Sequence, residues 1–210
     1  MLHVYRWVVA TLFVGSALLL AQASAQAASC TFTTFDACDG SAIVGTDSCN
    51  GELACVNNSG DPTIGNESCN GDFACEANSG NIARRACEGN SACEANSGKV
   101  RKKACTGRKA CAGNAGLINE KACGGLFACA QNTGDVAVKG CLGEFACIFN
   151  TGTIGKESCR GESACERNSG NISKNACQGE RACYGNTLDR KKGECNGPPV
   201  NGKGVCEQPI

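Results

Sequence analysis

Apolar and polar positions recur along this chain with a fixed period of 18 residues. Pairs of cysteines separated by five residues begin at residues 49, 69, 87, 105, 123, 141, 159 and 177. The first step is 20 residues and every later step is 18, and the two extra residues lie most simply at Asp61-Pro62. The unit reads C-x-G-x-x-A-C-x-x-N-[STA]-G-x-[IV]-x-x-x-[ASG], numbered here from position 1 at its first cysteine. Self-similarity at such a period is typical of a repeat architecture.

The distribution of apolar residues within the unit argues against helices. Each unit carries glycines and an Asn-Ser/Thr-Gly turn signal, and it has no apolar stripe at helical spacing. One branched apolar residue occurs at position 14 of each unit, in the column Val44, Ile64, Ile82, Val100, Ile118, Val136, Ile154 and Ile172. The pattern predicts an all-β fold, a disulfide-rich β-solenoid of about eight 18-residue coils. Equivalent residues would then stack about 4.8 Å apart, and the handedness is left open.

Three further columns do not vary among the eight copies. They are Gly at position 3, Ala at position 6 and Asn at position 10. Small residues allow backbones to approach closely, and stacked asparagines form amide ladders that satisfy backbone groups at a turn. We expect this Asn, or the Gly two residues after it, to adopt the left-handed conformation.

The beginning of the chain has the features of a secretory signal peptide. Arg6 precedes an apolar run of fifteen residues from Trp7 to Ala21, and Ala23-Ser24-Ala25 offers a cleavage site. We therefore predict a signal peptide over 1–25 and a secreted, extracellular protein, or a periplasmic one in a bacterium, with no integral membrane segment after cleavage. All 20 cysteines would enter an oxidising compartment, where disulfides persist.

The cysteines are expected to form disulfides within each copy. Such a bridge closes a loop of about seven residues, worth roughly 2.4 kcal/mol in loop-closure entropy. The alternative joins the second cysteine of one copy to the first cysteine of the next. The cysteines concerned are Cys49, Cys55, Cys69, Cys75, Cys87, Cys93, Cys105, Cys111, Cys123, Cys129, Cys141, Cys147, Cys159, Cys165, Cys177 and Cys183.

The ends of the array differ from its middle. We divide the remaining chain into an N-terminal cap over 26–48, the eight-copy array over 49–186 and a C-terminal cap over 187–210. Cys30-x7-Cys38 breaks the cysteine spacing, and Leu188 replaces the glycine of position 12 in the last copy. Pro198-Pro199 would remove hydrogen-bond donors from a terminal edge.

A Cys-x5-Cys pair in every coil, with small interior residues, resembles the disulfide-stapled β-solenoids of insect antifreeze proteins. The resemblance concerns architecture over 49–186 and implies ice binding as an alternative function. The ice face of that family is a doubled Thr-x-Thr column, and here only Thr151-Gly152-Thr153 has the pair. The corresponding column is Ser59, Ser79, Ser97, Ala115, Thr133, Thr151, Ser169 and Thr187.

Catalysis and metal binding are not expected. The only histidine, His3, lies in the predicted signal peptide, so Ser-His and Cys-His nucleophilic arrangements are excluded from the mature chain. The Cys-x5-Cys spacing without histidine is a poor zinc motif. We therefore predict a non-enzymatic protein with no cofactor and no metal.

Charge is unevenly distributed although the chain has 20 basic and 20 acidic residues. Residues 26–82 carry eight acidic and no basic side chains, whereas 83–121 carry nine basic and three acidic ones. This asymmetry would suit self-association. The basic cluster is a candidate site for anionic polysaccharide, nucleic acid or membrane, its alternative being a solvated charged face. It comprises Arg84, Arg85, Lys99, Arg101, Lys102, Lys103, Arg108 and Lys109.

Large apolar residues concentrate in two adjacent copies. They form a candidate contact patch for a partner, or they fold over a side groove of the solenoid. The residues are Phe127, Leu142, Phe145, Ile148 and Phe149, and Phe73 shares the column of Phe127.

Glycosylation sequons occur at Asn57, Asn66 and Asn171. The sequence thus predicts a secreted structural or surface-binding protein whose partner is an extracellular polymer, surface or protein.

Overall fold

The computed structural model describes residues 42–60, 62–199 and 204–206. The predicted signal peptide and most of the predicted N-terminal cap, with Cys30 and Cys38, lie outside the described residues. Within the described ranges the chain contains two short strands, β1 (Ile43–Val44) and β2 (Thr63–Ile64), which pair in parallel. None of the residues described there belongs to a helix that is long and apolar enough to cross a membrane.

Parallel pairing continues through the rest of the described array as isolated bridges. At position 14 the bridges run from Ile64↔Ile82 to Ile172↔Arg190, and at position 2 from Asn70↔Glu88 to Arg160↔Gln178. Each residue pairs with its equivalent 18 residues later. Every unit therefore lies in register against the next, an arrangement compatible with a repeat solenoid.

The first repeat accommodates its two extra residues without loss of register. Val44 pairs with Ile64 across 20 residues, and Ile64 pairs with Ile82 across 18. The backbone N–H of Asn78 donates to Asn58 Oδ1, again across 20 residues. The change of spacing falls between Asn58 and Thr63, which is the segment containing Asp61-Pro62.

The interior is narrow and consists of short side chains. Isoleucine or valine at position 14, alanine at position 6 and both cysteines are buried in every repeat from 64 to 183. The structure joins the two cysteines of each repeat, and their Cα atoms lie 5.5 Å apart in the bridge between Cys123 and Cys129. The pairs are Cys49–Cys55, Cys69–Cys75, Cys87–Cys93, Cys105–Cys111, Cys123–Cys129, Cys141–Cys147, Cys159–Cys165 and Cys177–Cys183.

The invariant asparagines form a buried ladder along the stack. Asn132 Nδ2 donates to Asn114 Oδ1 at 2.9 Å in the preceding repeat, and to the carbonyl of Gly134 at 2.6 Å in its own repeat. Asn150 Nδ2 in turn donates to Asn132 Oδ1 at 2.8 Å. From Asn96 to Asn186 each amide therefore has both donors and its acceptor engaged, so burial leaves no unpaired polar atom on it.

The two ends of this ladder are closed in different ways. Asn58 Nδ2 donates to the carbonyl of Cys55 at 2.9 Å, and Asn58 Oδ1 accepts from the backbone N–H of Asn78. At the other end, Arg190 stands where the array has isoleucine or valine, and its Nε donates to Asn186 Oδ1 at 2.7 Å. The guanidinium thus replaces the amide of the repeat that would follow. Beyond it, a disulfide between Cys195 and Cys206 closes the described C-terminal segment.

Close approach between repeats explains the glycine of position 12. A Cβ built on Gly134 would lie 2.0 Å from the carbonyl oxygen of Gly152, and one on Gly170 would lie 2.1 Å from that of Leu188. The restriction comes from the following repeat. In the last copy Leu188 at this position is 55% exposed, so the close approach that requires glycine does not confine it.

The expectation about left-handed residues holds at Gly60, with φ of 80°, and is wrong for the later copies. Among the described residues, no asparagine at position 10 has a positive φ, and neither has any glycine at position 12 from Gly80 to Gly170. Left-handed conformations occur instead at positions 1, 5, 9 and 17, for example at Cys123, Phe127, Gln131 and Lys139 with φ of 53–58°. The hydrogen bonds of the side-chain ladder hold the asparagine at negative φ, and the residue before it, at position 9, adopts the left-handed conformation.

Candidate functional site

In-register stacking turns each exposed position of the unit into a continuous column of side chains. Positions 15, 16 and 17 form one such strip between the buried residues of positions 14 and 18. The backbone N–H of Lys103 donates to the carbonyl of Arg84, and that of Lys121 donates to the carbonyl of Lys102. Adjacent triplets therefore lie directly beside one another.

We call this strip, from 83–85 to 191–193, the basic edge. Every triplet in it carries at least one cation. The cations are Arg84, Arg85, Arg101, Lys102, Lys103, Lys121, Lys139, Lys156, Lys174, Lys191 and Lys192.

Position 17 of the basic edge holds four cations in consecutive repeats. Arg85, Lys103, Lys121 and Lys139 follow one another in this column. Parallel strands place equivalent residues about 4.8 Å apart, so each charge faces a like charge above or below it. Like charges directly opposite one another destabilise a paired sheet. Repulsion in this column therefore opposes folding wherever a cation is not offset by a carboxylate.

Carboxylates pair with the cations at both limits of this run. Glu67, the preceding residue of the column, forms ion pairs with Arg84 and Arg85. Glu157, the following residue, lies 3.6 Å from Lys139 Nζ, and Glu120 lies 3.7 Å from Lys121 Nζ. Among the described residues, none of the ion pairs includes Arg101, Lys102 or Lys103, which are exposed.

The local charges also affect the titration of Glu67. Hydrogen bonds from Arg85 and then Arg84 hold the pKa of the Glu67 carboxyl below its ordinary value. The carboxylate therefore remains ionised to lower pH than an isolated glutamate. It offsets one of the two arginine charges at the N-terminal end of the basic edge over the physiological range.

The structure divides the basic cluster predicted from the sequence. Arg84, Arg85, Arg101, Lys102 and Lys103 lie together on the basic edge. The other three residues lie in different columns of the repeat: Lys99 at position 13, Arg108 at position 4 and Lys109 at position 5.

Sequence reasoning missed the continuation of the basic edge through Lys121 and Lys139 to Lys192. It grouped charges by proximity along the chain. Alignment of the triplets by the repeat period would have found the continuation.

The apolar residues of repeats five and six form a short stack at position 5. The rings of Phe127 and Phe145 have centroids 5.6 Å apart and planes inclined by 12°. Lys109 Nζ lies 5.9 Å from the Phe127 centroid, so the cation extends this column rather than the basic edge. Phe73 belongs to the same column but is separated from the stack by Ser91 and Lys109.

The remaining apolar candidates lie at other positions around Phe145. Leu142 covers Gly124 of the preceding repeat, where an added Cβ would lie 3.2 Å from Leu142 Cδ2. Ile148 is partly buried, and Phe149 is 43% exposed. The structure therefore brings Phe127 and Phe145 into contact, and Phe149 is the most exposed member of the patch.

The column expected for ice binding has a mixed geometry. Position 11 is exposed in every copy from Ser59 to Thr187. At position 13, however, carboxyl or amide side chains accept hydrogen bonds from the backbone of the preceding repeat. Leu117 N donates to Asp135 Oδ1 at 2.9 Å, and Asn171 N donates to Asp189 Oδ1 at 2.8 Å. These side chains serve the stacking of the repeats.

Two of the three predicted sequons have both of their polar side chains exposed. They begin at Asn57 and Asn171, whereas Ser68 of the Asn66 sequon is buried and donates to the carbonyl of Ala83 at 2.8 Å.

The sulfur atoms of Cys177, Cys183 and Cys195 lie within 4.8 Å of one another. All three belong to disulfides, and a metal ligand must be a thiolate.

Comparison with known families places this chain in one of them. The family described as "Domain of unknown function (DUF7640)" matches residues 13–118 and again residues 103–207. Because these matches together span most of the chain, the chain belongs to this family. Searches of curated proteins and of solved structures found no match.

Proposed function

We propose that the chain is a secreted, non-enzymatic β-solenoid that binds an anionic polymer along its basic edge. One observation carries the proposal: four cations stack in consecutive repeats at position 17, with exposed Arg101 and Lys102 beside them. Among the described residues Arg101, Lys102 and Lys103 have no carboxylate partner, and a polyanion lying over them would replace the repulsion between like charges by attraction. The disulfide in every repeat is consistent with an extracellular setting.

The rigidity of the fold supports recognition of an extended ligand. Each cation is attached to a backbone held by hydrogen bonds to both neighbouring repeats, for example Lys121 N to the Lys102 carbonyl at 3.2 Å. Because the backbone that carries the cations is already ordered, binding requires ordering of the side chains alone, so less of the interaction energy is lost. Exposed charges also accelerate encounter with a polyanion.

Salt-dependent retention on an immobilised polyanion tests this function. We expect the oxidised protein to bind heparin or polygalacturonate and to elute with salt. The variant K102E/K103E/K121E should elute at much lower salt. The matched control K99E/R108E/R160E changes the net charge equally but lies outside the basic edge, and it should elute close to the wild type. Equal losses in both variants, or no retention of the wild type, would overturn the proposal.

Ice binding is a second candidate, favoured by the exposed serine and threonine column at position 11. Thermal hysteresis of the purified, oxidised protein is the direct measurement. The variant T133A/T151A should lower the hysteresis, whereas K102E/K103E/K121E should leave it unchanged. The absence of hysteresis in the wild type would eliminate this candidate.

A further inference from the structure

We propose that the polymer is a linear acidic polysaccharide with one anionic group on each sugar ring, lying parallel to the direction of stacking. Its docking site is the run of four cations Arg85, Lys103, Lys121 and Lys139. This inference rests on the proposed binding of a polyanion and adds the chemical class, orientation and length of the ligand.

The spacing of the cations indicates this class of ligand. Their backbones recur about every 4.8 Å, which is close to the length that one pyranose ring adds to an extended chain. A polysaccharide with one carboxylate per ring therefore offers one anion for each repeat. The flexible stems of the three lysines allow the ammonium groups to meet anions on either side of the sugar chain.

The limits of the site follow from the same column. Glu67 precedes Arg85 and Glu157 follows Lys139 at position 17, and each carboxylate pairs with the cation beside it. In the column of position 17 itself an anionic polymer meets like charge at both of these points, whereas Glu120, which pairs with Lys121, lies in the neighbouring column of position 16. Four cations span three intervals, about 14 Å of stacking, so the site fits about four sugar rings.

Nucleic acid suits the basic edge less well. Proteins that bind single strands stack the bases on aromatic side chains beside a basic groove. The triplets from 83–85 to 191–193 contain no aromatic residue. The charge spacing also differs, because each strand of a duplex carries one phosphate per about 3.4 Å of helix axis. A single-stranded oligonucleotide is therefore the contrasting probe.

The first test compares oligomers of defined length with the oxidised wild-type protein. Oligogalacturonates of two, three, four and six rings should bind with affinity that rises up to four rings and then levels off. With four contacts, the slope of log K against log[salt] should be about −2.8, taking about 0.7 per contact as for single-stranded polyanions. Oligothymidylates of equal charge should bind more weakly.

The outcomes separate this inference from the proposed function. If no polyanion binds, both are overturned. If polyanions bind but affinity depends only on total charge, or if oligothymidylate binds as well as oligogalacturonate, the inference fails and the proposed function stands. Continued increase in affinity from four to six rings would overturn the assigned length.

Variants at the limits and the centre of the run provide a second test. K103Q/K121Q should weaken binding of the four-ring oligomer at least tenfold and lower the salt slope by about 1.4, whereas K99Q/R108Q should change neither.

E67Q/E157Q should strengthen binding, because Arg85 and Lys139 lose their competing partners. A gain of affinity cannot arise from misfolding, so an unchanged or lower affinity in E67Q/E157Q would contradict the site's limits.

Discussion

Single residues in this protein are constrained mainly by the repeat that lies beside them. The amide of Asn132 is the clearest case, because its three hydrogen bonds reach the preceding repeat, the following repeat and its own turn. Gly134 is restricted by a carbonyl of the next repeat. At the last repeat both restrictions change: Arg190 donates to Asn186 in place of a following amide, and Leu188 replaces the glycine.

Truncation of one asparagine in the ladder should be strongly destabilising. We expect Asn132→Ala to lower the free energy of unfolding by about 3 kcal/mol, because the Gly134 carbonyl and one donor of Asn150 lose buried partners. Denaturant unfolding with the disulfides intact measures the change. Gln131→Ala is the control, since alanine occupies the same column at Ala77 and Ala95. Equal stability of the two variants would show that the ladder contributes little.

The ion pairs of Glu67 should make part of the stability dependent on pH. Because the pKa of this carboxyl is lowered on folding, its contribution is complete above the ordinary glutamate pKa and is lost as the pH falls through the lowered value. Melting temperatures of the wild type and of Glu67→Gln should therefore differ most near neutral pH and converge in acid. A difference that grows on acidification would have the wrong sign.

At the scale of the element, each 18-residue repeat has its own disulfide, and within the described array from Cys49 to Cys183 no disulfide joins one repeat to the next. The disulfide between positions 1 and 7 compensates for an interior that offers one branched side chain per repeat. Hydrogen bonds of the two bridge columns and the asparagine ladder hold the repeats together. Stacking is thus noncovalent throughout the described array from Cys49 to Cys183.

Peptide mapping tests this arrangement of disulfides. Lysine-specific cleavage of the denatured, unreduced protein should release 122–139 and 140–156 as separate peptides, each lighter by two hydrogens than its reduced form. The chain has lysines at 121, 139 and 156 and none within either peptide. Recovery of the two peptides joined by a disulfide would indicate pairing between repeats, and the same digest after reduction is the control.

At the scale of the whole molecule, charge is arranged in strips along the stack. The basic edge runs through seven consecutive triplets, from 83–85 to 191–193, whereas position 4 carries Glu144, Glu162 and Glu180 in three consecutive repeats. Such strips separate a chain of balanced charge into faces of opposite sign. The balance of 20 basic and 20 acidic residues therefore conceals an uneven distribution of charge around the stack.

Removing one cation from the position 17 column should raise the stability of the protein and weaken its binding of polyanions. We expect Lys103→Gln to raise the melting temperature at low salt by about 1–2 °C, because Arg85 and Lys121 lose a like-charged neighbour. The same variant should bind polyanions more weakly. Melting curves at low and high salt check the effect, which should vanish when salt screens the charges. Lys99→Gln is the control, and a lower melting temperature for Lys103→Gln would argue against repulsion in this column.

The sequence by itself determined the repeating unit, its register, the buried columns and the expectation of an asparagine ladder. These follow from an 18-residue period because a residue that recurs in every copy meets its own equivalent in the stack. Cysteine spacing left two pairings open, and the structure joins the cysteines within each repeat. The left-handed positions were not predictable, because they depend on how the turns fit between fixed hydrogen bonds rather than on residue type.

Only the tertiary structure decided which charges share a surface. Lys99 and Arg101 are near neighbours in the chain but lie in columns separated by the buried position 14. Arg85 and Lys139, 54 residues apart, belong to one column. Proximity in this fold is set by parallel stacking, which brings together equivalent positions of successive repeats. The repeat period assigns each charge to a column, and the in-register stacking shows that the residues of a column lie beside one another.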